Sequence, residues 1–232
     1  MSVWRSALIT LIAAGWLAMP ETGAQAGDRG SIKDGFAPFS WTGFYVGVTA
    51  GGGWGESRFD DSGFKSNPFD IDGFVAGGTI GYNFQLGARW VVGIETDLSF
   101  SNISGSFGPG NLGQPNGAAF GCSPGPCVTD VDWFGTVRAR LGASFDRSLV
   151  YATGGLAYGK VKSAIVGGGF DSNDTNFGWT IGGGIEHAVS RNWSAKVEYL
   201  HVDLGWTGIG TDLKSDAKFD VVRAGLNYRF GP

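Results

Sequence analysis

Apolar and polar positions alternate with a period of two in eight segments of the chain, at 43–54, 73–84, 90–101, 132–145, 149–161, 177–188, 193–204 and 219–230. In the last of them Asp220, Val222, Ala224, Leu226, Tyr228 and Phe230 share one parity, and Val221, Arg223, Gly225, Asn227 and Arg229 share the other. A two-residue period predicts β-strands with chemically different faces. Each segment is long enough to cross an apolar band of ~25 Å at a tilt, which takes roughly 9 to 11 residues. Connections at 85–89, 146–148 and 189–192 are short, and those at 55–72, 102–131, 162–176 and 205–218 are long. The pattern predicts an all-β fold, an eight-stranded antiparallel up-and-down transmembrane β-barrel with short periplasmic turns and long extracellular loops. Lipid accepts a sheet only when it is closed and leaves no unpaired edge. The long loops are rich in Gly, Asn, Asp and Ser, so mobility is expected of them.

One parity collects Phe44, Val46, Val48, Ile80, Val92, Ile94, Leu98, Val137, Leu141, Val150, Leu156, Ile181, Ile185 and Val197, and is free of Lys, Arg and Glu across its middle. Aromatics gather at its ends. Phe44, Phe84, Trp90, Phe145, Trp193, Tyr228 and Phe230 fall toward the short turns, and Trp54, Phe74, Phe100, Trp133 and Trp179 toward the long loops. Two girdles at headgroup depth account for that sorting. The other parity holds Glu95, Asp97, Arg138, Arg140, Glu186, Lys196, Glu198 and Arg223, four acids and four bases. Counting from the strand ends pairs Glu95 with Arg140, Asp97 with Arg138, and Glu198 with Arg223. An eight-stranded barrel is just wide enough for side chains to fill it, so these charges are expected to form a luminal plug of salt bridges. A conducting pore or proton path is the sharper alternative. Parity by itself also allows a soluble ligand-binding barrel with the faces reversed.

Three further features change the picture. Arg5, the apolar run 7–19 and the small-residue pattern Ala24-Gln25-Ala26 mark an export signal over 1–26. At 13 residues the run is shorter than the ~20 a spanning helix needs. A periplasmic leader over 27–42 and a barrel over 43–232 follow. Forty-two glycines in 232 residues argue against a helical protein; inside a narrow barrel they relieve crowding and let strands bend. Charged residues make up 16% of the chain and the net charge is −4, which offers no basic footprint for nucleic acid.

Candidate chemistry is thin. Paired carboxylates suit a glycosidase, but each luminal acid has a basic neighbour. His187 and His201 fall near opposite strand ends, without a serine and an acid placed for a triad with either; both read as interfacial polar residues. Gly51 to Gly53 and Gly182 to Gly184 precede no helix, which removes a phosphate-loop reading. Cys122 and Cys127, in GCSPGPC, are expected to form a disulfide in an oxidising compartment; a metal site is the alternative, for which neither histidine is near. No enzyme and no cofactor are expected.

WTGFYVGVTAGGGWG at 41–55, TVRARLG at 136–142, YATGGLAYG at 151–159, WSAKVEYLHVDLG at 193–205 and VVRAGLNYRF at 221–230 together resemble the small outer-membrane β-barrel proteins of alphaproteobacteria, called porin-family or outer-membrane immunogenic proteins. The resemblance covers nearly the whole mature chain. It implies an OmpA-like barrel in the bacterial outer membrane, with structural and envelope-integrity roles at the cell surface. A narrow porin-like channel for water or small solutes is the alternative. The partners implied are outer-membrane lipid and lipopolysaccharide, the barrel-assembly machinery that reads a terminal aromatic signal, here Tyr228 and Phe230, and surface molecules met by the long loops. Gly231 and Pro232 after Phe230 depart from the family's ending, and His201 stands where the family tends to carry an aromatic.

Overall fold

The computed structural model describes residues 39–61, 64–65, 69–107, 126–165, 170–206 and 213–230; at 58–61, 64–65, 107, 127, 163–165, 170–174, 206 and 213–216 it describes backbone pairing alone. Eight strands form the wall: β1 (Gly43–Asp61), β2 (Phe69–Leu86), β3 (Trp90–Phe107), β4 (Cys127–Phe145), β5 (Ser148–Ile165), β6 (Phe170–Ala188), β7 (Trp193–Trp206) and β8 (Leu213–Phe230). Each pairs antiparallel with the next, and β1 also pairs with β8 from Phe44↔Phe230 to Asp61↔Leu213, which closes the sheet into a barrel. A two-residue strand, Phe64–Lys65, folds back on the end of β1. Cys122 lies outside the described residues and the side chain of Cys127 is not described, so the expected disulfide falls outside them, as does the export signal.

The short turns have a sequence cause. Gly87 and Asp146 adopt left-handed φ values of 65° and 54°, which tight hairpins need and which Gly and Asp tolerate best.

Strands run well past their expected ends. β1 continues from Trp54 to Asp61 and β6 begins at Phe170 rather than 177. Much of the chain expected to be long mobile loop is therefore paired sheet. The reason lies in the burial pattern of β2, where the inward parity holds Phe69, Ile71 and Val75, all buried, and the outward parity holds Asp70, Asp72 and Phe74, all exposed. Nearer the short turns the outward parity is apolar. Beyond Phe74 it is acidic, and apolar residues have moved inside. β7 and β8 do the same, with Val202, Leu204, Phe219 and Val221 buried while His201, Asp203, Lys218 and Asp220 face out. The continuous apolar outer face ends where that inversion begins.

The interior is consequently layered. At the short-turn mouth, residues 39–42 enter the barrel: Trp41 is buried with Val91, Leu149, Tyr151 and Ala188, and Phe39 packs against that cluster. At the long-connection end a second cluster joins Phe69, Ile71, Ile103, Val131, Phe134, Val161, Leu200, Leu204 and Phe219. The charged residues occupy the section between. The apolar end layer was absent from the sequence expectation, which assigned the whole inward face to polar groups.

Candidate functional site

The eight charged residues expected in the lumen come from β3, β4, β6, β7 and β8, and all are buried. Strand pairing sets Glu95 opposite Arg138, Glu186 opposite Lys196, and Glu198 opposite Arg223. The first pair differs from the expected Glu95 with Arg140. Trp90 pairs with Ala143 rather than with Phe145, so β3 and β4 are staggered by two residues, as the shear of a tilted barrel requires. Counting from strand ends assumes level ends and misses that stagger.

Contacts then spread beyond the pairs. Arg138 is the hub: Nη2 donates to Glu95 Oε1 at 2.5 Å and Asp97 Oδ2 at 2.9 Å, Nη1 donates to Glu198 Oε1 at 3.0 Å, and Nε donates to Thr136 at 2.9 Å. Arg223 joins Asp97 to Glu198, with Nη2 3.0 Å and 2.7 Å from the two carboxylates. Arg140 reaches Glu186 at 2.8 Å and Glu95 at 3.4 Å, and Lys196 Nζ donates to Glu95 Oε2 at 2.9 Å. The expected Arg140–Glu95 and Arg138–Asp97 contacts therefore exist as members of a mesh, not as cross-strand partners.

Neutral side chains complete the mesh, and the sequence reading had not singled them out. Tyr45 donates to Glu95 at 2.7 Å, Tyr151 to Glu198 at 3.0 Å, Thr136 to Asp97 at 2.6 Å and Ser194 to Glu186 at 2.6 Å. Arg140 stacks on Tyr151, its guanidinium carbon 3.9 Å from the ring centroid. The available signal was parity: Tyr45 and Tyr151 stand on the inward parity, next to the outward Phe44 and Val150. Every carboxylate thus accepts from at least one cation and one neutral donor. That is the condition under which buried charge is tolerated, since each ion taken from water costs several kcal/mol before pairing.

Glycine makes room for this layer. Six of the eight charged residues have a glycine directly across a strand pair: Glu95↔Gly81, Arg138↔Gly155, Arg140↔Gly93, Lys196↔Gly225, Glu198↔Gly184 and Arg223↔Gly51. At Gly51 an added Cβ would stand 2.0 Å from Val222 O and 2.6 Å from the Cα of Arg223, and at Gly155 it would stand 2.1 Å from Val137 O. A side chain at either place would push into the strand that carries a buried arginine.

Outside the barrel, the expected apolar parity is exposed along the wall, with Val48 65%, Leu156 69% and Ile94 58% accessible. Trp54, Phe74, Phe100 and Trp179 ring one level, and Phe44, Phe84, Trp90, Phe145, Trp193 and Phe230 ring the other. Tyr228 sits in the second ring between Trp193 and Phe230, with centroid distances of 5.1 Å and 5.0 Å. His187 shares a hydrogen bond with Ser148 at 2.9 Å near the short turns. His201 is 2.8 Å from Asp220, which also accepts from Tyr199 at 2.7 Å.

A closed sheet with an apolar exterior between two aromatic rings and a filled, charged interior has the form of a membrane barrel, and the comparisons with known proteins agree with it. The family described as outer membrane protein beta-barrel domain matches residues 34–230. The chain is 40% identical to the 31 kDa outer-membrane immunogenic protein of Brucella melitensis biotype 1, over 95% of this chain and 99% of that one. It is 35% identical to the 22 kDa outer membrane protein of Rhizobium leguminosarum bv. viciae, over 71% of this chain and 64% of that one. Among solved structures, the outer membrane protease OmpT of Escherichia coli aligns with a TM-score of 0.50 at 8% identity, covering 81% of this chain and 97% of that one, a likeness of fold alone. The chain belongs to the outer membrane protein beta-barrel domain family, and its place is the bacterial outer membrane.

Proposed function

We propose that this barrel is a non-enzymatic structural element of the outer membrane, sealed along its axis, that carries its long connections outside the cell on a rigid sheet. The observation that supports this reading most strongly is the layered interior: Trp41 at the short-turn mouth, the ion mesh, then the apolar cluster around Phe134 and Phe219. A permeating ion or water file would have to displace all three. The buried carboxylates are already engaged by cations, which leaves none poised as a free acid or base.

A second reading, a narrow channel for water or small solutes, draws on Thr49 Oγ1, Asn83 Oδ1, Arg140 Nε and Asn227 Oδ1. These are buried polar atoms without a protein partner, the kind of group that internal water satisfies. Planar-bilayer recording decides between the two. A sealed barrel gives no reproducible conductance steps, whereas steps that change with Asp97→Asn or Arg138→Gln would establish transport.

The same reading gives Tyr228 and Phe230 the role of assembly signal, lets Cys122 and Cys127 close a small ring in the extracellular connection, and places lipopolysaccharide against the outer aromatic ring. Surface partners would meet the protein through the long connections.

A further inference from the structure

Each of the three short turns carries one arginine: Arg89 between β2 and β3, Arg147 between β4 and β5, and Arg191 between β6 and β7. All three are exposed, and none makes an ion pair among the described residues. Their backbones are nonetheless fixed in the same manner. The carbonyl of Arg89 accepts from Ser144 N at 2.6 Å, that of Arg147 from Ala188 N at 2.8 Å, and that of Arg191 from Arg229 Nη2 at 2.9 Å. A rigid main chain thus presents a side chain with no ion-pair partner among the described residues, three times over, at every second gap around the rim.

The surroundings of these side chains are lipid-facing. Arg89 and Arg191 lie one and two residues before Trp90 and Trp193 of the aromatic ring, and Arg147 lies two after Phe145. The guanidinium of Arg89 lies 6.0 Å from the centroid of the Phe145 ring, against the outer wall and away from the mouth. At the opposite end, acids outnumber bases on the outward row beyond the aromatic ring, with Glu56, Asp70, Asp72, Asp130, Asp132, Asp203 and Asp220 against Lys160, Lys162 and Lys218. The one exposed acid on the short turns is Asp146, whose left-handed φ accounts for its presence there. Neighbouring turns are two strands apart, at least ~10 Å at the usual strand spacing, too far for one phosphate to bridge.

We propose that Arg89, Arg147 and Arg191 are three separate docking points for the phosphate groups of anionic phospholipids in the periplasmic leaflet. A guanidinium fork matches a phosphate bidentately, and the adjacent ring seats the acyl-chain side of the same lipid. A wall polymer would approach the mouth from the periplasm. Arg89 against the outward Phe145 ring, and Arg147 and Arg191 within two residues of the aromatic ring, favour the lipid.

Spin-label selectivity tests this on the full chain reconstituted in phosphatidylcholine bilayers, with spin-labelled phosphatidylglycerol compared against spin-labelled phosphatidylcholine. The wild-type protein should prefer phosphatidylglycerol about fivefold per occupied arginine, the ratio that ~1 kcal/mol per basic residue near an anionic surface represents. The preference should vanish in Arg89→Gln/Arg147→Gln/Arg191→Gln, and should persist in Lys160→Gln/Lys218→Gln at the other end. If the triple variant does not fold, salt on the order of 1 M, where the Debye length is ~3 Å, should abolish the preference of the wild-type protein. No preference in wild type, an unchanged preference in the triple variant or at high salt, or its loss in the lysine variant would each overturn the proposal. So would a triple variant that loses only its co-sedimentation with purified peptidoglycan.

Discussion

The two halves of the barrel wall are built on opposite plans. In the half nearer the short turns the outward residues are apolar and the inward ones are charged: Val48, Ile94 and Val197 face lipid, while Glu95, Arg138 and Lys196 fill the interior. In the half beyond Trp54 and Phe74 the outward residues are Glu56, Asp70, Asp72 and Lys218, and the inward ones are Ile71, Ile103, Phe134 and Phe219. Antiparallel pairing persists through both, with register shifts near the boundary at Phe100/Ile103, Val131/Trp133 and Phe177/Trp179. Backbone pairing is thus indifferent to what surrounds the sheet, and side-chain parity alone records whether the outside is lipid or water. The second half is an ordinary water-soluble sheet closed on an apolar core; the first is that arrangement reversed by its solvent.

Substitutions can break this comparison or sharpen it. The largest effect is expected from Arg138→Leu, which removes the hub shared by Glu95, Asp97 and Glu198. Breaking a buried pair by deleting one member costs ~3–5 kcal/mol, so the temperature at which the folded form loses its fast migration on a detergent gel should fall markedly. Arg223→Leu, which takes from Asp97 and Glu198 one of the two guanidinium partners each has, should follow it; an unchanged transition in both would show that the mesh does not hold the barrel.

Phe219→Ala removes a ring packed on Phe134 at a centroid distance of 5.3 Å. It should cost about 3 kcal/mol, the low end for an aromatic core deletion. If the halves are energetically distinct, faster backbone hydrogen exchange should be concentrated beyond the aromatic ring, and the short-turn half should keep its protection. A uniform loss would mean that they unfold as one.

The smallest effect carries the sharpest contrast. Val48→Lys places a charge on the lipid face and should destabilise by ~2–4 kcal/mol. Glu56→Lys, four pairs further along the same parity of the same strand, should stay within ~0.5 kcal/mol as a water-facing change. Equal responses in a bilayer unfolding titration would refute the proposed waterline between them.

Much of this was legible in the chain. Eight alternating segments, the sorting of aromatics to two levels and the alternation of short and long connections specify a closed antiparallel barrel, because each reflects a local demand of lipid on a strand. The charged side chains were legible as a set for the same reason. Register was not, since the two-residue stagger between β3 and β4 is a property of barrel closure that neither strand encodes alone. The glycines opposite Arg138, Arg223 and their neighbours were equally hidden, because facing positions exist only once register is known. The apolar core beyond the ring was missed for a physical reason. Ile71 and Phe219 continue the alternation with its sense reversed, and a reading keyed to an apolar outer face takes reversal for an ending. Trp41 belongs to the stretch expected as a polar leader, and its burial depends on a mouth that eight separate strands assemble.

The cap at that mouth ties together the two ends of the wall. Arg229, one residue from the end of β8, donates to Ser40 O at 3.0 Å and lies over the rings of Phe39 and Trp41 at 4.4 Å and 5.3 Å. Those residues immediately precede β1, and β1 against β8 is the junction formed by the first and last strands. The same guanidinium therefore works as a clasp across the seam. Until the final strand zips onto the first, the indole has nothing to brace it and bulk water keeps access to the ions behind it, so sealing and closure become a single event at the end of folding.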